Sequence, residues 1–224
     1  MENYFFDFDG TLADSRDTAI LSTQAAFHTL GLEIPEKDMI RYYMGVPIEV
    51  SFKEMAAPHH FSTEEFETLL THFRQFYQTF EDENLRLFDG IKAVLKQLNQ
   101  EKKRLFVVSS KHALPLRRNL ITLGIFDYFE RIIGSDQVKN YKPAPDGILE
   151  LLSRNQLSTT DSIMIGDAIF DIQMGKAAGV KTCAVTWGAH EKEALKAQHP
   201  DYLVIQVSGL LSLGFKSKFL FLFL

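Results

Sequence analysis

Short apolar runs, separated by amphipathic stretches, constrain this chain more than any other feature. Tyr4 to Phe8 (YFFDF), Leu105 to Val108 (LFVV), Ile163 to Ile165 (IMI) and Val180 to Val185 (VKTCAV) read as buried strands. Ile132 with Ile133, and Tyr202 to Ile205 (YLVI), are weaker candidates. Residues 90–100, 112–123, 145–154 and 169–178 between them show helical spacing. Strands alternating with helices predict an α/β fold, a doubly wound parallel sheet of Rossmann-like type covered on both faces.

One stretch breaks the alternation. From 15 to 83 the pattern is helical, with helices expected at 18–30, 36–43, 48–55 and 63–80 and no convincing strand. The expected organisation is therefore an α/β core over 1–14 and 84–213, a helical cap over 15–83, and an apolar tail over 214–224. With 224 residues, 46% of them hydrophobic, the chain can bury a sizeable core.

The charge balance, 24 basic against 29 acidic residues with no long basic run, speaks against a nucleic-acid or anionic-membrane partner. Cys183 is the only cysteine, which excludes an internal disulfide and suits a reducing compartment. No signal-peptide pattern opens the chain. The six-residue run Phe219 to Leu224 (FLFLFL) is far short of the roughly 20 apolar residues a membrane span needs. A cytoplasmic protein is expected, and the tail is left as an added edge strand, a packing segment or a means of self-association.

The polar residues that stand out follow the apolar runs. Asp7-Phe8-Asp9-Gly10-Thr11-Leu12 closes the first, and side chains two apart on a strand point to one side. Gly10-Thr11 lets the backbone turn and offer N–H groups to an anion, although Asp-Gly turns are common. Asp167 and Asp171 follow the Ile163 to Ile165 run at a spacing of four, one helix face or simply an acidic first turn. Ser109-Ser110-Lys111 follows another run, as a phosphate cradle or a plain helix cap. Lys142 lies in a loop stiffened by Pro143 and Pro145, and Lys139 is a nearby rival for its role. Two strands each ending in a carboxylate pair need a counter-charge, and Mg²⁺ is the usual oxygen-bound cation beside phosphate.

Taken in order, these four elements resemble the haloacid dehalogenase superfamily: a DxDGT motif, a strand-terminal Ser, a lysine before Pro, and GDxxxD. Met174 to Val180 (MGKAAGV) and Pro200-Asp201-Tyr202 are similar to its phosphoglycolate phosphatase-like branch. The resemblance implies a Mg²⁺-dependent phosphatase acting on a small phosphorylated molecule, such as phosphoglycolate, a sugar phosphate, a nucleotide or pyrophosphate. It implies Asp7 as nucleophile, forming an aspartyl-phosphate, and Asp9 as acid and base. Ser109, the Ser110 amide and Lys142 would hold phosphate. The metal would take the Asp7 carboxylate, the Asp9 carbonyl and Asp167, with Asp171 behind them or orienting Lys142. In the cap, Met44-Gly45-Val46-Pro47 resembles a specificity loop, with Arg41, Tyr42, Tyr43 and Lys53 nearby.

Two other readings stand beside it. A mutase resembling β-phosphoglucomutase shares the core motifs, but Ala13 and Pro47-Ile48 depart from its pattern and lack its arginine. A non-catalytic regulator of the same fold usually lacks an essential acid, and none is missing here.

Overall fold

A computed structural model describes residues 1–213. The expectations for 214–224, including Phe219 to Leu224, fall outside the described residues.

The chain begins with β1 (Asn3–Phe6), β2 (Ala13–Asp14) and four helices: α1 (Arg16–Thr29), α2 (Lys37–Tyr42), α3 (Ile48–Met55) and α4 (Thr63–Asn84). Next come β3 (Arg86–Leu87), α5 (Ile91–Gln100), β4 (Arg104–Val108), α6 (Ala113–Thr122), β5 (Arg131–Ile133) and α7 (Asp146–Arg154). The order closes with β6 (Ser162–Gly166), α8 (Ile169–Ala177), β7 (Lys181–Val185), α9 (Lys192–Ala197) and β8 (Tyr202–Val204). Six strands form one parallel sheet in the order β5-β4-β1-β6-β7-β8. The chain starts at the centre, winds outward through β4 and β5, then returns beside β1 and winds the other way. That reversal leaves a crevice at the carboxyl ends of β1, β4 and β6, where ligands of such sheets sit.

The apolar runs are continuous because both sheet faces are covered. Tyr4 and Phe6 pack with Leu105, Val107, Ile163 and Ile165 beneath α5 and α6. Phe5 turns to the opposite face with Phe106 and Met164, against Ile148 and Leu151 of α7. Alternation along each strand thus feeds two cores, and buried polar residues on the strands are paired, as where Asn3 donates to the Ser162 hydroxyl (3.1 Å).

The cap has its own core, in which Phe27, Phe52, Leu69, Leu70 and Phe73 join α1, α3 and α4. At the start of α4, Ser62 accepts the Glu65 N–H, and Glu64 and Glu65 favour the positive end of the helix. The helix runs four residues beyond the predicted 80. An antiparallel ribbon of β2 and β3, Ala13 opposite Leu87, marks both crossings between cap and core. Ribbon strands of two residues leave no periodic trace, so neither was foreseen; nor was α9, six residues long.

Candidate active site

Asp7 lies one residue beyond β1, yet its N–H continues the ladder to the Ile165 carbonyl (2.9 Å), so the sheet fixes its backbone. Its carboxylate is buried and meets Lys142 Nζ at 2.7 Å. The same ammonium donates to Asp171 Oδ1 at 2.7 Å, bridging two segments 29 residues apart. Lys142 is itself buried. Burial works against its charge, but the Asp171 and Asp7 carboxylates outweigh that and hold its pKa above the usual lysine value. Lys142 is thus a permanent cation rather than a base, and Lys139 takes no part among the described contacts.

Asp167 ends β6. Its Oδ1 accepts the Thr11 hydroxyl (2.7 Å) and its Oδ2 accepts the Ala189 N–H (2.7 Å). Asp171 lies in the first turn of α8, where its Oδ2 accepts the Ala168 N–H (3.0 Å). The helix starts at Ile169, so Asp167 stands outside it; a strand-to-helix turn, not a shared helix face, brings the two acids together. The acidic first turn and the charge site are one feature here, since Asp171 both caps the helix and positions Lys142.

Oxygen atoms of Asp7, Asp167 and Asp171 all lie within 4.8 Å of one another, and all three residues are buried. One ammonium faces three carboxylates, which leaves two negative charges without a partner. Burial pushes Asp7 well above the usual carboxylate range; Lys142 opposes this, while Asp171 and Asp167 add to it. Asp167 is pushed up to about 7, by burial first and by Asp171 second. A divalent cation with a preference for oxygen matches both the donor set and the missing charge.

Glycines make room for this cluster. Gly10 has φ +86°, and a Cβ there would collide with the Asp167 carboxylate. A Cβ at Gly166 would collide with Asp171. We expect Gly166→Ala to displace Asp171, loosen Lys142 and lower kcat by about 10²-fold. Steady-state kinetics beside a thermal melt check this; a kcat within twofold of wild type would mean that Asp171 does not set Lys142.

Several expectations are corrected at this level. The Gly10 N–H donates to Ala13 O (2.8 Å) and the Thr11 N–H to Phe8 O (3.3 Å). These groups therefore close the turn instead of facing an anion, and Thr11 serves the site through Asp167. Asp7 and Asp9 both line the cleft, but they do so from the segment after β1, which ends at Phe6, and not from one strand. The Asp9 carboxylate stands outside the acidic cluster. Nor does α6 begin at the serines: its first N–H, that of Ala113, donates to Asp136 (2.7 Å). Ser109 Oγ instead accepts the Lys111 N–H (3.1 Å), holding the loop in place.

The cap closes over this floor. Ser110 Oγ donates to the Gly45 carbonyl (2.5 Å), and Gly45, at φ +96°, sits against Ala168 where a side chain would press. His190 fastens the same loop: Nδ1 accepts the Ile169 N–H (3.3 Å), so Nε2 donates to the Tyr42 carbonyl (3.0 Å). Tyr42 stacks on that imidazole, and Tyr43 lines the cleft. Gly45 lines it too, but Arg41 and Lys53 do not. Arg41 pairs with Asp38, and the Lys53 ammonium lies over Phe66. Both are drawn to partners within the cap.

A network around Asp9 escaped the sequence reading. Lys111 Nζ contacts Asp9 Oδ1 (3.0 Å), the Tyr77 hydroxyl (2.7 Å) and Asn119 Oδ1 (3.2 Å). Tyr77, from α4, donates to the same Asp9 oxygen (3.3 Å). Burial, with the Asp9 and Glu81 charges, pushes the Tyr77 hydroxyl far up, so it remains a neutral donor. Behind them the Glu81 carboxylate takes two bonds from Arg118 and one from Asn119. The Lys111 position was visible beside the serines; nothing in the sequence distinguishes Tyr77 from the other aromatics of α4.

Comparison with known proteins agrees with this arrangement. The family model for haloacid dehalogenase-like hydrolases matches residues 4–185. The pyrophosphatase PpaX of Listeria innocua is 31% identical over 212 residues, 93% of this chain and 94% of that protein. The protein named probable phosphatase IndB of Dickeya dadantii is 30% identical over 204 residues, 89% of this chain and 87% of its own. The solved structure of the haloacid dehalogenase-like family hydrolase SP0104 of Streptococcus pneumoniae superposes with a TM-score of 0.83 at 28% identity, covering 95% of this chain and 97% of that one. With the family's motifs gathered at the carboxyl edge of its sheet, the chain belongs to the haloacid dehalogenase-like hydrolases.

Proposed function

We propose that this chain, a phosphatase of that family, hydrolyses a small phosphate monoester with Mg²⁺ and a covalent intermediate on Asp7. The observation that carries the reading is the buried Asp7 carboxylate, gripped by Lys142 beside Asp167 and open to the cleft under the cap. Asp7, Asp167 and the Asp9 carbonyl would hold the cation, with Asp171 behind them. When bound, Mg²⁺ neutralises the charge that opposes an anionic nucleophile meeting an anionic ester.

The chain's own residues do the rest. Asp7 forms the new O–P bond as the ester oxygen leaves, and Asp9 gives that oxygen its proton. Water then attacks phosphorus, Asp9 takes the proton back, and the Asp7–phosphorus bond breaks. Lys142 holds Asp7 at one angle and, with the Ser109 hydroxyl and the Ser110 N–H, faces the phosphoryl oxygens. Lys111 and the Tyr77 hydroxyl both meet Asp9 Oδ1 and hold its carboxylate in place.

Loss of the phenol should weaken that hold. Tyr77→Phe is expected to lower kcat about fivefold to tenfold, the worth of one hydrogen bond; an unchanged kcat would remove Tyr77 from the positioning of Asp9. The reading as a whole is tested by phosphate release from a panel of esters with Mg²⁺ or with EDTA. Release that is equal in both would overturn the metal, and conversion of a hexose 1-phosphate to its 6-phosphate would replace hydrolase by mutase.

A cytoplasmic location belongs to the same proposal, and the buried lone Cys183 suits it. No helix among the described residues is long and apolar enough to cross a membrane.

A further inference from the structure

The cleft that reaches Asp7 is a cavity of about 630 Å³ between cap and core, within the size range of sites for drug-sized molecules. A second phosphate or a carboxymethyl group would occupy a small part of it. Met44, Ile48, Phe52, Met55 and Phe73 form an apolar wall on its cap side, beside polar residues such as Thr71 and Gln75. At its rim stands Leu114, a large apolar side chain left 78% exposed.

The charges of the lining point the same way. A leaving group with its own negative charge, such as a phosphate or carboxylate, needs a free cation beyond the phosphoryl site. Among the described residues each cation of the lining already has a carboxylate. Arg74 meets Glu49 at 3.0 Å, Lys111 meets Asp9 at 3.0 Å, and Arg118 meets Glu81 at 2.9 Å. Glu49 itself lines the cavity and would repel an anion.

We propose that the organic part of the substrate is a bulky apolar group without a second negative charge, seated between α3, α4 and Leu114. This rests on the phosphatase reading above and narrows it: pyrophosphate and phosphoglycolate are poor substrates of this chain, whatever its relatives cleave. Apolar surface supplies the binding, since each methylene taken from water favours the complex about fourfold.

Straight-chain alkyl phosphates test this, because ethyl, butyl and hexyl phosphate have leaving groups of similar basicity. With Mg²⁺ and the full chain, kcat/KM should rise severalfold per methylene, and hexyl phosphate should exceed pyrophosphate and 2-phosphoglycolate by tenfold or more. A flat series, or either anion ahead of hexyl phosphate, overturns the proposal. Leu114→Asp should shrink the gain from ethyl to hexyl; an unchanged gain overturns the seating against Leu114. If no ester is hydrolysed at all, the phosphatase reading falls by itself. The cavity is then judged by calorimetry with methylphosphonate and hexylphosphonate, where tighter binding of the longer chain supports the proposal and equal binding overturns it.

Discussion

Asp7→Asn should abolish phosphate release, by at least about 10⁴-fold in kcat, while the folded structure persists. The amide has nearly the same shape as the carboxylate, so the sheet contacts of β1 are untouched. It removes one of three buried negative charges, and Lys142 keeps Asp171 as its partner. Because burial already pushes Asp7 well above the usual carboxylate range, the metal-free variant should melt no lower than wild type. Kinetics and a thermal melt on the same preparation separate the two effects. Retained turnover would sink the nucleophile assignment; lost turnover with a collapsed melt would mean that Asp7 is structural.

The second large effect concerns pH and metal. In the folded, metal-free chain Asp167 keeps its proton up to about 7, whereas the ordinary value is 3.8. Between those values the folded state binds more protons than the unfolded chain, so stability falls as pH rises. A tenfold change in proton affinity is worth about 1.4 kcal/mol, so a few kcal/mol are lost across the window. For a domain of this size that is on the order of ten degrees in Tm. Asp7, also raised, adds in the same direction. Glu2, lowered by its bond to Lys103, and Asp201, lowered by Lys181 despite partial burial, act oppositely, but only near pH 4 and below.

In EDTA, then, Tm should drop from pH 4.5 to 7.5, and millimolar Mg²⁺ should remove most of the drop. Asp167→Asn should flatten the EDTA profile. A profile indifferent to both Mg²⁺ and that substitution would show that the acidic cluster carries no such strain.

Much of this molecule was legible in its residues, for physical reasons that differ from place to place. The runs at 105–108 and 163–165 announced strands because a strand covered on both faces has no polar position to alternate with. Helix α3 was read at its observed limits because Pro47 precedes it and its apolar residues recur at helical spacing. The convergence of Asp7, Lys142, Asp167 and Asp171 was anticipated because loops at the carboxyl ends of parallel strands meet at one edge.

What stayed hidden depended on contacts between distant segments. Tyr77 reaches Asp9 across 68 positions and Lys111 reaches it across 102, and no local pattern encodes either meeting. Arg41 and Lys53 were plausible by proximity to the Gly45 loop, yet nearer partners claimed them. By itself, then, the sequence determined the layers, the order of elements and the residue types that gather at the carboxyl edge of the sheet, since these follow from local periodicity and residue type. Only the tertiary structure decided which N–H groups the Gly10–Thr11 turn consumes, which cations of the cleft are already paired, and how apolar its cap wall is. Those outcomes arise from competition among partners, and such competition exists only once the chain has folded.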